Sequence, residues 1–122
     1  MLLRRLDTTV ISPPELEQQR SEVTAPQLLD VRTPNEHAAG TIPGAQPLSA
    51  GKVLFHQADL PSREAGPIVS FCQSGLRNTV AASTLRRAGF DVTELEGSYA
   101  GWPQRSAQLP EQPATTSDGR SA

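Results

Sequence analysis

Cysteine is nearly absent: Cys72 is the one thiol in 122 residues. A single thiol excludes an internal disulfide and a multi-cysteine zinc site. Aromatic residues are scarce, at 4%, and the only basic doublets are Arg4-Arg5 and Arg86-Arg87. A nucleic-acid surface needs a basic face interleaved with stacking rings, so that class of partner is set aside. Eleven basic residues against thirteen acidic ones leave a net charge of −2, with neither sign clustered. No apolar run approaches the ~20 residues of a membrane helix. The opening MLLRRLDTTV lacks the apolar core of a signal peptide. The expectation is a soluble, cytoplasmic chain with no nucleic-acid or membrane partner.

What is present reads as one domain with a modest core. Residues 8–12 carry a short strand pattern around Val10 and Ile11. Ser12 followed by Pro13-Pro14-Glu15 is a helix start, with a cap, early prolines and an acidic first turn; that helix should end near Glu22. Residues 27–32 form a second strand pattern, and Thr33-Pro34-Asn35-Glu36 opens another helix running to Ala39. A loop rich in Gly and Pro follows, from Gly40 to Ala45. Signals weaken across residues 46–66, where Leu48 closes a short strand and residues 53–60 hold one or two helical turns.

The strand Ile68-Val69-Ser70-Phe71 then precedes the strongest helix in the chain. Its apolar residues Leu76, Val80, Ala81, Leu85 and Ala88 recur at helical spacing, and Arg86, Arg87 and Gly89 close it. Residues 90–95 read as a last strand and residues 97–102 as a short closing helix. This alternation predicts an α/β fold, a parallel-centred sheet with helices on both faces. Beyond Pro103 the chain is polar, Pro-punctuated and without period, which reads as a disordered tail.

Within this pattern the lone thiol stands in FCQSGLRN, residues 71–78, on the turn between that strand and that helix. A solitary cysteine is usually buried filler. Here it falls at the C-terminal end of a buried strand, where open α/β sheets bind ligands. The turn formed by Gln73, Ser74, Gly75 and Leu76 can aim backbone N–H groups and a helix dipole at one point. Such a point stabilises an anion and favours the thiolate. Gly75 suits an unusual φ, and Arg77 adds a cation at the rim. A nucleophilic role for Cys72 therefore outweighs the filler reading.

Three stretches, LLDVRTPNEHAAGTIPGAQPL (28–48), IVSFCQSGLRN (68–78) and LEGSYAGW (95–102), resemble the signature segments of single-domain rhodaneses, in the family's order. The resemblance covers roughly residues 8–103, leaving 1–7 as an N-terminal extension and 104–122 as the tail. It implies an α/β domain around a five-stranded, mostly parallel sheet. It also implies that Cys72 accepts a sulfane sulfur and becomes a persulfide. The loop Gln73, Ser74, Gly75, Leu76 and Arg77 would then bind substrate, its amides cradling the outer sulfur and Arg77 contacting an anionic donor. Asp30, Arg32 and Glu36 sit near the same sheet edge and are expected to form an ion-pair network that braces the loop.

The chain departs from the family pattern at three places. Gln73 stands where many members carry a basic residue, Thr41 where His is common, and Asn78 where Ser is frequent. The first leaves the pocket mouth one cation poorer, which argues against thiosulfate as a favoured donor.

The expected function is sulfur transfer from thiosulfate, a polysulfide or a low-molecular-weight persulfide to cyanide in an assay or a thiol in the cell. An acceptor protein is a further candidate partner, and no metal or other cofactor is implied. The alternative is a persulfide carrier or docking module. Phosphatase or arsenate reductase chemistry is less favoured, because those related enzymes have a loop one residue longer than the six residues from Cys72 to Arg77. A second cysteine to resolve an oxidised thiol is also lacking. His37 and His56 are read as surface or packing residues, Trp102 as a core lid, and Gly40, Gly44 and Gly97 as backbone devices.

Overall fold

The structure is a computed structural model that describes residues 9–23, 25–56 and 60–103. The expected N-terminal extension and C-terminal tail lie outside the described residues, as do residues 57–59. Five strands form one sheet: β1 (Val10–Ile11), β2 (Gln27–Asp30), β3 (Gln46–Pro47), β4 (Ile68–Phe71) and β5 (Val92–Leu95). Their spatial order is β1-β5-β4-β2-β3, and every pairing is parallel.

The helices begin where local chemistry starts them. Helix α1 (Pro13–Arg20) is capped by Ser12 and α2 (Pro34–Ala39) by Thr33. In each a Glu three residues on returns the hydrogen bond, so both are complete capping boxes with proline in the first turn. Helix α3 (Ala50–Phe55) starts at a Ser49 cap, three residues earlier than the apolar pattern predicts and within the weakly signalled segment. A 3₁₀ turn at Arg63–Ala65 leads into β4. Helix α4 (Leu76–Arg87) follows β4, and Gly89 ends it at φ 99°.

Adjacent residues of each central strand face opposite sides, as the pleat requires. Leu29 and Ile68 join Val53 of α3 and Ala81, Ala82 and Leu85 of α4 in one core layer. Leu28, Val69 and Phe71 join Leu16 of α1 with Tyr99 and Trp102 in the other. Trp102 is buried, as a core lid should be.

Three expectations need correction. The last strand begins at Val92; Phe90 instead packs from the turn after α4, where its N–H bonds the Leu85 carbonyl. Residues 97–102 form successive turns and no helix. Gly97 and Ser98 have φ of 77° and 52°, outside the right-handed helical range, and Gly101 packs onto the Gly97 backbone. The apolar face of α4 is also rotated from the one read in the sequence. Leu76 and Val80 are 81% and 49% exposed, whereas Asn78, Ala81, Ala82 and Leu85 are buried. The alanines let α4 lie close to the sheet, and Asn78 Nδ2 donates to the Ser70 carbonyl of β4 at 3.0 Å.

Among the described residues, no helix is long and apolar enough to cross a membrane.

Candidate functional site

The sheet order has a topological switch point. From β2 the chain moves outward to β3, and from β4 it moves the opposite way to β5. The crevice at the C-terminal ends of β2 and β4 is where such sheets hold ligands. Asp30 pairs with Phe71 in register there, so residues 30–32 and Cys72 emerge side by side. Residues 96–100 arrive from β5 and close the third side: the Tyr99 and Ala100 N–H groups bond the carbonyls of Cys72 and Gln73, each at 2.9 Å.

Cys72 is 1% exposed and also touches the core layer under α4. Its sulfur nevertheless has a polar setting. The Gly75 N–H donates to Sγ at 2.9 Å, and the Ser98 hydroxyl stands 4.0 Å from it. Ser98 Oγ also accepts the Cys72 N–H at 3.2 Å. Gly75 reaches its position with φ 110° and ψ −21°, a left-handed backbone that L side chains rarely adopt. It is also the N-cap of α4, so the amide that meets the sulfur stands at the start of that helix, whose first N–H groups have no intrahelical acceptor. Within the loop, Ser74 and Leu76 are exposed while Gln73 and Gly75 are half-buried.

Two ion pairs flank the loop. Arg32 and Asp30, 3% and 0% exposed, are joined by bonds from Nε to Oδ1 at 2.8 Å and from Nη2 to Oδ2 at 2.7 Å. Arg32 also donates to the Gly40 carbonyl at 2.7 Å and to Gln73 Oε1 at 3.1 Å, and its guanidinium lies 4.4 Å above the Tyr99 ring. Burial pushes the Asp30 carboxyl up, but bonds from the Arg32 side chain and backbone and from His37 outweigh it and hold the group below its ordinary range. Thr41 Oγ1 and His37 Nδ1 each lie 2.9 Å from Asp30 Oδ2.

The second pair joins Arg77, at the end of the loop, to Glu36 in the first turn of α2. Arg77 Nη1 and Nη2 reach the two Glu36 oxygens at 2.7 and 3.1 Å. The bonds from Arg77 and from the Thr33 backbone hold the Glu36 carboxyl down at about 2. Arg77 is in turn raised above its ordinary value, chiefly by the Glu36 bond, with a smaller attraction from Cys72.

The structure thus gathers Cys72, the loop, Asp30, Arg32 and Glu36 at one sheet edge. It divides the three charged residues between two pairs: Asp30 with Arg32, and Glu36 with Arg77. Four neighbours were missed in the sequence. His37, expected as a surface or packing residue, and Thr41 both serve Asp30; Ser98 serves Cys72; and Asn78 anchors α4. The stretches GTIPGA and LEGSYAGW contained Thr41 and Ser98, but nothing local says what either side chain bonds. His56 is exposed at the end of α3, away from these contacts. Among the described residues, no group of three or more His, Cys, Asp or Glu could hold a metal ion.

The rhodanese-like domain family model matches residues 12–105. The thiosulfate sulfurtransferase GlpE of Pseudoalteromonas translucida (strain TAC 125) is 33% identical over 76 residues, 62% of this chain and 70% of its own. The human thiosulfate:glutathione sulfurtransferase is 30% identical over 110 residues, covering 80% of this chain and 95% of its own. The solved structure of a human single-domain sulfurtransferase superposes with a TM-score of 0.68 at 29% identity, covering 80% of this chain and 97% of that one. The chain belongs to the rhodanese-like domain family, within which these similar proteins are sulfurtransferases.

Proposed function

We propose that the protein is a sulfurtransferase that works through a persulfide on Cys72. The observation that carries this reading is the Gly75 N–H aimed at Sγ at 2.9 Å, at the start of α4. A loop amide and a helix dipole at that point stabilise both a thiolate and the outer sulfur of a persulfide anion. A sulfur this deeply set suits attack on a slim terminal atom better than on a tetrahedral oxyanion, which favours sulfur transfer over phosphoryl transfer or arsenate reduction.

The chemistry is two-step covalent catalysis. The Cys72 thiolate forms an S–S bond to the outer sulfur of a donor, and the bond within the donor breaks. The electron pair leaves with sulfite from thiosulfate, or with a thiolate from an organic persulfide. In the second step cyanide or an acceptor thiolate attacks the outer sulfur, and Cys72 departs as the thiolate. No external oxidant or reductant is needed. Tying the loop to β2 and α2, as Arg32 and Arg77 do, keeps the amides aimed and lowers the reorganisation each step demands.

Mass spectrometry of donor-treated protein tests this reading. Wild type should gain one sulfur atom that an acceptor then removes, and Cys72→Ser should gain none and turn nothing over. Sulfur transfer surviving in the Ser variant would refute it.

A further inference from the structure

Arg77 closes the loop around Cys72, yet its charge is already spoken for. Both terminal nitrogens are bound by Glu36, a fork-on-fork pair at 2.7 and 3.1 Å. Isolated surface ion pairs are usually weak and mobile, but this carboxylate is fixed from behind. Glu36 Oε1 also accepts the Thr33 N–H at 3.0 Å and the Thr33 hydroxyl at 3.2 Å, so swinging away would break the cap of α2. With its carboxyl held at about 2, Glu36 stays ionised at every working pH.

The other guanidinium at the loop is equally committed, since Arg32 is used by Asp30, the Gly40 carbonyl and Gln73. Gln73 itself is neutral, and Leu76 places an apolar side chain, 81% exposed, next to Arg77. Among the described residues, each guanidinium that contacts the loop therefore carries its own counter-charge. The remaining attraction for an anion comes from the loop amides and the end of α4, about half a unit charge.

We infer that Glu36 is a positioning residue that sets the donor's charge: by holding Arg77 it turns the site away from dianionic inorganic donors such as thiosulfate and toward organic persulfides. This rests on the sulfurtransferase reading. An organic persulfide carries at most one negative charge on its sulfurs against two on thiosulfate. It is attacked in its protonated form R–S–SH, and its carbon body can lie along Leu76. The Cys72 thiolate bonds to that terminal sulfur, the proton stays on it, and the electron pair leaves with R–S⁻. The products are Cys72–S–SH and a thiolate, so atoms and charge balance. Thiosulfate brings two charges to a mouth where, among the described residues, Arg32 and Arg77 are both occupied.

The experiment compares loading of Cys72, followed by rapid quench and intact-mass measurement, from dianionic thiosulfate and from 2-hydroxyethyl hydropersulfide, which bears no charge beyond that of its own ionisable S–S–H group. Glu36→Gln removes the charge while keeping a capping-box residue at that position, and α2 buries no side chain. The expected result is an increase of about tenfold in the ratio of thiosulfate to hydropersulfide loading. It should come through a lower half-saturating thiosulfate concentration and shrink as salt is added. In Glu36→Gln/Arg77→Gln the gain should vanish, which distinguishes a freed Arg77 from mere loss of a negative charge. An unchanged ratio in Glu36→Gln, or a gain that persists in the double variant, overturns the inference and leaves the sulfurtransferase reading intact if both donors load. A wild type that loads from neither donor overturns both.

Discussion

Arg32 Nη1 donates to Gln73 Oε1 at 3.1 Å, joining the end of β2 to the first residue after the thiol. Gln73 is thus more than a missing cation at the pocket mouth: its carbonyl oxygen is an acceptor for a guanidinium that is 3% exposed. A basic residue there would remove the acceptor and set a second positive charge against Arg32. Gln73→Leu keeps roughly the bulk and removes the acceptor that Arg32 uses, together with the amide N–H groups. It should cost about 1–3 kcal/mol, the range for orphaning a partly buried donor of a charged group. Urea denaturation of the two proteins measures it, and equal midpoints would show that water replaces the amide without cost.

Asp30 accepts from the Arg32 backbone and side chain and from Thr41, and it stands 2.9 Å from His37 Nδ1. Asp30→Asn preserves the shape but leaves a buried guanidinium without its counter-charge. Breaking one partner of a buried pair typically costs about 3–5 kcal/mol. A large fall in stability is expected by calorimetry, with loss of sulfur loading following from disorder at the sheet edge. A variant as stable as wild type would show that the bonds alone, without the charge, hold Arg32.

Gly75 holds φ 110°, and a Cβ built there meets nothing within 4 Å. Any cost of Gly75→Ala is therefore backbone strain and not collision. That strain is about 1–3 kcal/mol, and relieving it would swing the Gly75 N–H off the Cys72 sulfur. Loading of Cys72 should fall by at least about tenfold, since one such kcal/mol-scale bond to a charged sulfur is lost. Unimpaired loading in a folded Ala variant would show that this amide is dispensable.

The Glu36 carboxyl titrates at about 2 when folded against 4.5 ordinarily, so its protonation is opposed by the native state. A depressed folded value adds stability that is complete above 4.5 and is lost as the pH falls toward 2. The stability difference between wild type and Glu36→Gln should accordingly be flat from neutral pH down to about 5 and shrink below that. Thermal melts across this range check the window. A difference that changes between pH 6 and 8 would assign the effect to another group.

Several features of this chain are determined by the sequence alone because the forces behind them are local. Ser12 and Thr33, each followed by proline and a Glu at the third position, announce α1 and α2, since a capping box closes within one turn. The apolar run Ile68–Phe71 followed by Cys72, Gly75 and a helix puts the thiol on a strand-to-helix turn at the ligand edge of a parallel sheet. The segment around α3 is poorly legible because the helix is six residues long and its start rests on a lone Ser49 cap, with neither proline nor an acidic residue in the first turn.

Only the tertiary structure decided who meets whom at the site. Glu36 and Arg77 lie 41 residues apart, as do Arg32 and Gln73, and both contacts depend on the β2–β4 register that sets Asp30 opposite Phe71. A shift of one residue would turn those side chains to the other face of the sheet. The burial of Asn78, where periodicity favoured Leu76 and Val80, follows from how closely the small residues of α4 approach β4. Ser98 reaches Cys72 because Gly97 and Ser98 leave the right-handed region and bend residues 96–100 back over the loop. These arrangements minimise the free energy of the packed whole, where buried charges must find partners, and no short stretch of chain encodes that by itself.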